Sequence, residues 1–315
     1  MNKKIFEQLI LSISERLKIN RDTGISIDPE FVRKIVTRTI NELKEDAPSL
    51  EVSDIDIEAL IFKISNVFAV KVDDELIVLA DPTIQRWLDS SKKDITWTHW
   101  KAYENMLKKQ ARSEETIKAN EDVIDAVLDY SGDPRKPGPW ARKGLVMGNV
   151  QSGKTQNYIG LINKAIDSGY KTIILLGGHL NDLRKQTQER VDEGILGRES
   201  KHIIEFKKEK TVPIGVGEFN INNVNSGTTT MGDFTKSFAD KLGFSLTGSD
   251  PVIFTIKKHS GMMKRLYEWI SDHHYLDVKN NKKLDGPLLL IDDEADYATV
   301  NTKHHKDEIT STNEG

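Results

Sequence analysis

Eight consecutive residues, Gly148, Asn149, Val150, Gln151, Ser152, Gly153, Lys154 and Thr155, place two glycines, an ammonium and a hydroxyl at the spacing Gly-x4-Gly-Lys-[Ser/Thr]. These residue types at this spacing bind the phosphates of a nucleotide. Gly148 and Gly153 let the backbone approach an anion, and the N–H groups of loop and helix start point at its oxygens. Lys154 would reach the β- and γ-phosphates of ATP, and the Thr155 hydroxyl would hold Mg2+. At average composition such a match arises by chance in roughly one chain of this length in a hundred. The bland alternative is a glycine turn ahead of a surface helix, and the flanks weigh against it. Leu145, Val146 and Met147 read as a short buried strand before the loop. Gln156 to Ser168 reads as a helix, with Ile159, Ile162, Ala165 and Ile166 on one face and Gly169 as its stop.

A second set of chemical groups follows the apolar run Pro287 to Ile291: Asp292, Asp293, Glu294, Ala295 and Asp296. A buried strand of a parallel sheet delivers such carboxylates at its C-terminal end, where ligands bind in open α/β sheets. An ATPase needs one carboxylate for hydrated Mg2+ and another for the attacking water. Asp293 is assigned to the metal and Glu294 to the water, with Lys154 and Glu294 as the catalytic pair. A strand ending one residue earlier would make Asp292 the metal partner instead.

The elements between the two motifs fit this chemistry. Lys171 to Leu176 and Pro251 to Ile256 are near-continuous apolar runs, as buried parallel strands are. Asn181 to Glu193 reads as a helix, and Ser260 caps another that carries Met262, Leu266 and Ile270. Residues 198–250, rich in Gly, Asn, Thr and Ser, read as an insertion or irregular crossover. Strand and helix alternate, which indicates an α/β domain with a parallel sheet over residues 96–315. Residues 1–95 read as a mainly helical accessory domain. Ile5, Leu9, Ile10, Ile13 and Leu17 mark one helix, Phe31, Ile35 and Ile40 a second, and Asp54 to Val67 a third. A hairpin follows, with strands at 68–72 and 76–80. Residues 96–130 read as further helices, and Ser131 to Pro139 as a loop. Trp97, Trp100 and Tyr103 form a stripe that suits a core or, alternatively, stacking on adenine.

Lysine and arginine number 45 and aspartate and glutamate 49, so the net charge of −4 neither demands nor excludes a nucleic-acid partner. Without cysteine there are no disulfides, thiolate catalysis or Cys-ligated zinc in this chain. No apolar run approaches a membrane span, and Glu7 and Gln8 interrupt the signal-like start, so a cytoplasmic protein with no membrane partner is expected.

The wording of the motifs resembles a family. Gly148–Thr155 with Asp293-Glu294-Ala295-Asp296 resembles the first motor lobe of superfamily 2 helicases and translocases. The segments GLVMGNVQSGKT, HLNDLRKQTQERV and LLLIDDEADYATVNT are similar to the Z1 domain proteins, over about residues 95–302. These are large bacterial proteins with a helicase-like ATPase core, linked to endonuclease activity and to restriction or phage defence. The resemblance implies a RecA-like P-loop NTPase lobe that binds ATP and Mg2+ and acts on nucleic acid, DNA in the first place, through backbone contacts. It also implies that Arg184, Lys185 and Gln186, with Lys257 and Lys258, stand where such motors touch the strand; an ordinary solvated charge is the alternative for each. Motors of this class close their site with a second lobe, and 19 residues after Asp296 leave no room for one. That lobe is expected from a further part of the same protein or from a partner chain. The competing reading is a nucleotide-binding or interaction module without turnover, such as a truncated product.

Two weaker patterns complete the inventory. Glu205-Phe206-Lys207 has the Glu-x-Lys spacing of some nucleases, with Asp192 upstream, but no clear strand surrounds it. The pairs His273-His274 and His304-His305 point apart whether on strand or helix, which makes them poor joint metal ligands.

Overall fold

Leu9, Ile13 and Leu17 recur every fourth residue, as do Val32, Val36 and Ile40, and each set forms the buried stripe of one helix. The first helix is α1 (Lys3–Asp22) and the second α2 (Pro29–Asp46) in the computed structural model of the chain. The structure describes residues 3–23, 29–47, 52–53, 56–57, 60–61, 64, 84–138, 140–146, 153–202, 212–243, 245–246, 248–278, 281–284, 286–293 and 295. Two compact units emerge: Met1–Val78 with Leu107–Asp122 and Met147–Lys154, and Leu79–Met106 with Val123–Val146 and Thr155–Gly315.

In the first unit the two stripes close on Leu60, Ile61 and Ile64. Arg16 on α1 donates to Glu42 on α2 at 2.5 Å, and Arg38 donates to the same carboxylate at 2.8 Å. Ser53 and Asp56 exchange hydrogen bonds in a capping box where the third expected helix starts. The expected hairpin over 68–80 lies outside the described residues.

In the second unit α3 (Leu88–Ser91) is tied to α5 (Glu114–Tyr130) through Asp129, whose carboxylate accepts from the N–H groups of Trp87 and Leu88 and from Arg86. The second unit therefore begins before residue 95, ahead of the boundary read from the sequence. Helix α4 (Thr98–Lys109) starts where the Asp167 carboxylate accepts from the N–H groups of His99 and Trp100. Helix α6 (Lys154–Ser168) is buried on nearly all sides from Tyr158 onward. A Cβ on Gly160 would lie 2.4 Å from Ile124, so only glycine lets α6 come this close to α5.

The sheet is wholly parallel. Its strands are β1 (Thr172–Leu176), β2 (Asn225–Ser226), β3 (Val252–Ile256) and, after a hairpin, β6 (Leu288–Asp292), in the spatial order β2-β3-β1-β6. The hairpin pairs β4 (Tyr275–Val278) with β5 (Asn281–Leu284). Every residue of β1 and β3 is buried, which is why both read as unbroken apolar runs. One face of the sheet packs Phe254 against Phe234 and Trp269, with ring centroids 5.7–5.9 Å apart, beneath α8 (Lys236–Leu242) and α9 (Ser260–His274). Register aligns Leu176 with both Ile256 and Asp292, so these strands end together. Helix α7 (Asn181–Val191) follows β1 and passes into a π-turn, Asp192–Leu196.

One expectation fails. Residues 141–146 form no strand, and Leu145 and Val146 are 71% and 55% exposed. A strand exists only through a paired neighbour, and among the described residues none pairs with this segment; β6 is the last strand in the sheet's order. Three features went unforeseen: the β4–β5 hairpin, the two-residue β2 inside the stretch read as irregular, and the π-turn in the last turn of the helix expected at 181–193.

Candidate functional site

Gly153 adopts φ +70°, a left-handed conformation that favours glycine, and among the described residues nothing lies within 4 Å of where a Cβ would stand. Helix α6 begins at the next residue, Lys154, and has no acidic residue in its first turn. Its first N–H groups lack intrahelical acceptors and carry the positive end of the dipole. The loop residues Gly148, Asn149, Val150, Gln151 and Ser152, and the assigned base Glu294, lie outside the described residues. Lys154 is exposed and Thr155 partly so.

Thr155 sits in a small polar cluster. Its hydroxyl accepts a 3.1 Å hydrogen bond from Arg190 Nη1 at the end of α7. Tyr158, one turn along the same face of α6, is 6% exposed, and its hydroxyl faces Arg190 and Thr155. Burial pushes the Tyr158 phenol up to about 12; Asp293 adds to the rise, while Arg190 and Thr155 oppose it. Thr155, Arg190 and Asp293 therefore all act on one buried phenol. Asp293 follows β6 directly, and its N–H donates to Leu176 O at 3.3 Å.

Asp292 is differently engaged. Its carboxylate takes Lys258 Nζ at 2.7 Å, the lysine side chain being 4% exposed, and its second oxygen is buried without a hydrogen bond. Strand β1 lies between β3 and β6 and ends in Gly177-Gly178; Lys258 N donates to Gly178 O at 2.8 Å. Asp292 is thus engaged by Lys258, and Asp293 follows it at the same strand end.

The candidate nucleic-acid residues divide by burial. Lys258 is enclosed in that ion pair, and Arg184 is 4% exposed, donating to the carbonyls of Thr229 at 3.0 Å and Thr230 at 3.4 Å. Burial lowers the Arg184 pKa from its ordinary value. Both side chains serve the interior, because a buried cation must find acceptors. Lys185 and Gln186 are exposed, and Lys257 is partly so.

The aromatic stripe is core. Trp100 and Tyr103 are buried, and Lys164 Nζ stands 4.6 Å from the Trp100 ring and 5.0 Å from Trp97, paired with Asp125 at 2.5 Å. Asp192 is also internal: it accepts from Gln188 and from the N–H and hydroxyl of Ser200, while Glu205 and Lys207 lie outside the described residues. Arg190 and Tyr158 escaped the sequence reading. The spacing of Thr155 and Tyr158 was legible there, but the approach of Arg190 depends on a contact across 35 residues.

No family model, curated protein or solved structure matches the chain. The mixed α/β architecture with its four-stranded parallel sheet rests on the coordinates alone. Among the described residues no helix is long and apolar enough to cross a membrane.

Proposed function

We propose that this chain carries the ATP-binding lobe of a nucleic-acid motor, RecA-like in fold and of the superfamily 2 kind, from a protein of the Z1 type that acts in restriction or phage defence. One observation carries the reading most. The motif's Gly153 is left-handed, α6 starts immediately after it, and the motif's Thr155 shares a cluster with Asp293 from the acidic motif.

The residues present suit Mg-ATP. The left-handed Gly153 and the acid-free first turn of α6 favour phosphate, and Thr155, Tyr158 and Arg190 supply polar groups beside them. Lys154 would neutralise phosphate charge, and Thr155 and Asp293 would hold the cation. Among the described residues no group of three or more acidic or histidine side chains gathers as a metal cage. That suits magnesium, which is commonly held by one or two protein groups together with substrate phosphates. Magnesium, when bound, neutralises charge developing on the transferred phosphoryl group. Glu294 would orient the attacking water and accept its proton. Lys185, Gln186 and Lys257 would meet nucleic-acid phosphates.

A second reading, nucleotide binding without turnover, draws on the exposed Leu145 and Val146 just ahead of the motif. A steady-state ATPase assay with single-stranded and duplex DNA, on wild type and Glu294→Gln, tests both. Turnover that DNA stimulates and Glu294→Gln abolishes supports the motor. Nucleotide binding with background hydrolysis in both proteins supports the second reading. No nucleotide binding defeats both.

A further inference from the structure

Arg190 stands at the end of α7 with its side chain exposed; its Nη1 donates to the Thr155 hydroxyl at 3.1 Å, and its head group also faces the Tyr158 phenol. Thr155 is the residue whose oxygen the phosphate-loop motif reserves for a divalent cation. A guanidinium and a divalent cation on the same oxygen would set like charges a few ångströms apart with little water between them. Arg190 and the cation therefore exclude each other at Thr155. Arg190 is exposed, so it can leave the hydroxyl without uncovering the core. Tyr158, buried one turn along the same face, turns its hydroxyl toward both Arg190 and Thr155, so the Arg190 head group sits in a small polar cluster.

We propose that Arg190 reads the nucleotide's outer phosphate: it rests on the Thr155 hydroxyl in the nucleotide-free chain and moves to the terminal phosphate of a Mg-nucleoside triphosphate. This rests on the phosphate-loop reading of Thr155. A terminal phosphate presents several charged oxygens, and a planar fork of donors suits them. A diphosphate lacks that group, so Arg190 confers preference for triphosphate over diphosphate.

The test is calorimetric titration of a non-hydrolysable ATP analogue and of ADP, with magnesium and with EDTA, into wild type, Arg190→Ala, Arg190→Lys and Lys154→Ala. Arg190→Ala should weaken the Mg-bound analogue about 10- to 100-fold, the range for one lost charge-assisted hydrogen bond. Its affinity for Mg-ADP should stay within about threefold of wild type. Arg190→Lys, which keeps the charge without the fork, should fall between. Circular dichroism of both Arg190 variants confirms that they fold. Equal weakening of analogue and ADP by Arg190→Ala, or none, overturns the proposal. Wild type and Lys154→Ala binding alike, or neither binding, would instead place the failure in the phosphate-loop reading.

Discussion

Replacing Lys258 with alanine separates two incompatible roles for that residue. Lys258 Nζ lies 2.7 Å from Asp292, with the lysine side chain 4% exposed and the carboxylate 21%. Removing one partner of a buried pair costs about 3–5 kcal/mol, because the remaining charge stays desolvated. Asp292 keeps a fifth of its exposure and its other oxygen already lacks a hydrogen bond, so the low end, about 3 kcal/mol, is expected. With a urea slope near 3 kcal/mol/M the unfolding midpoint should fall by about 1 M. Trp269 packs in the same core as Ile256, two residues from Lys258, so its fluorescence reports on this unit. Lys258→Ala combined with Asp292→Asn should recover more than half of the loss, since the stranded charge is gone. A midpoint shift below about 0.2 M, joined to weakened nucleic-acid binding, would refute the buried role and return Lys258 to the surface.

Two further outcomes follow from the same coordinates. Nucleic-acid binding should ignore sequence and weaken with salt; Lys185→Ala and Lys257→Ala should each reduce the slope of log affinity against log salt by about 0.7–0.9, and fluorescence anisotropy over a salt series would expose an unchanged slope. Burial raises the Asp192 carboxyl from 3.8 to about 6, so the native chain holds that proton more tightly than the unfolded chain does. Its contribution is therefore fully present below about pH 4 and lost as pH rises through about 6, and wild-type stability relative to Asp192→Asn should fall by roughly 3 kcal/mol over that window; a pH-independent difference in urea midpoints would contradict this.

The parts of the fold that were legible in the sequence share a physical cause. Strands β1 and β3 are unbroken buried apolar runs and α6 carries a helical apolar repeat, so pattern alone located them; β6 was located by its apolar run too, although it is only partly buried, with Leu290 55% exposed. The β4–β5 hairpin was missed because its two-residue connection, Lys279-Asn280, carries no glycine and its second strand includes Asn281-Lys282-Lys283. The strand expected at 145–147 is absent at Leu145 and Val146, with Met147 outside the described residues: an apolar triplet signals burial, but pairing is decided by neighbours distant in sequence. The same limit governs Arg184 and Lys258. Both look like surface cations in sequence, and only carbonyls 45 residues away and a carboxylate at the end of another strand reveal them as internal. An acidic residue at the last position of an apolar strand, as Asp292 is, did carry a usable signal, because it demands a counter-charge.

The central claim is that Gly148–Thr155 binds a nucleotide's phosphates, and equilibrium titration of a fluorescent ATP analogue with magnesium into wild type and Lys154→Ala tests it most directly. Saturable binding by wild type, weakened at least about tenfold in Lys154→Ala as expected for losing a charge-assisted phosphate contact, is the predicted result. Equal affinity in the two proteins, or no binding by wild type, would contradict the account.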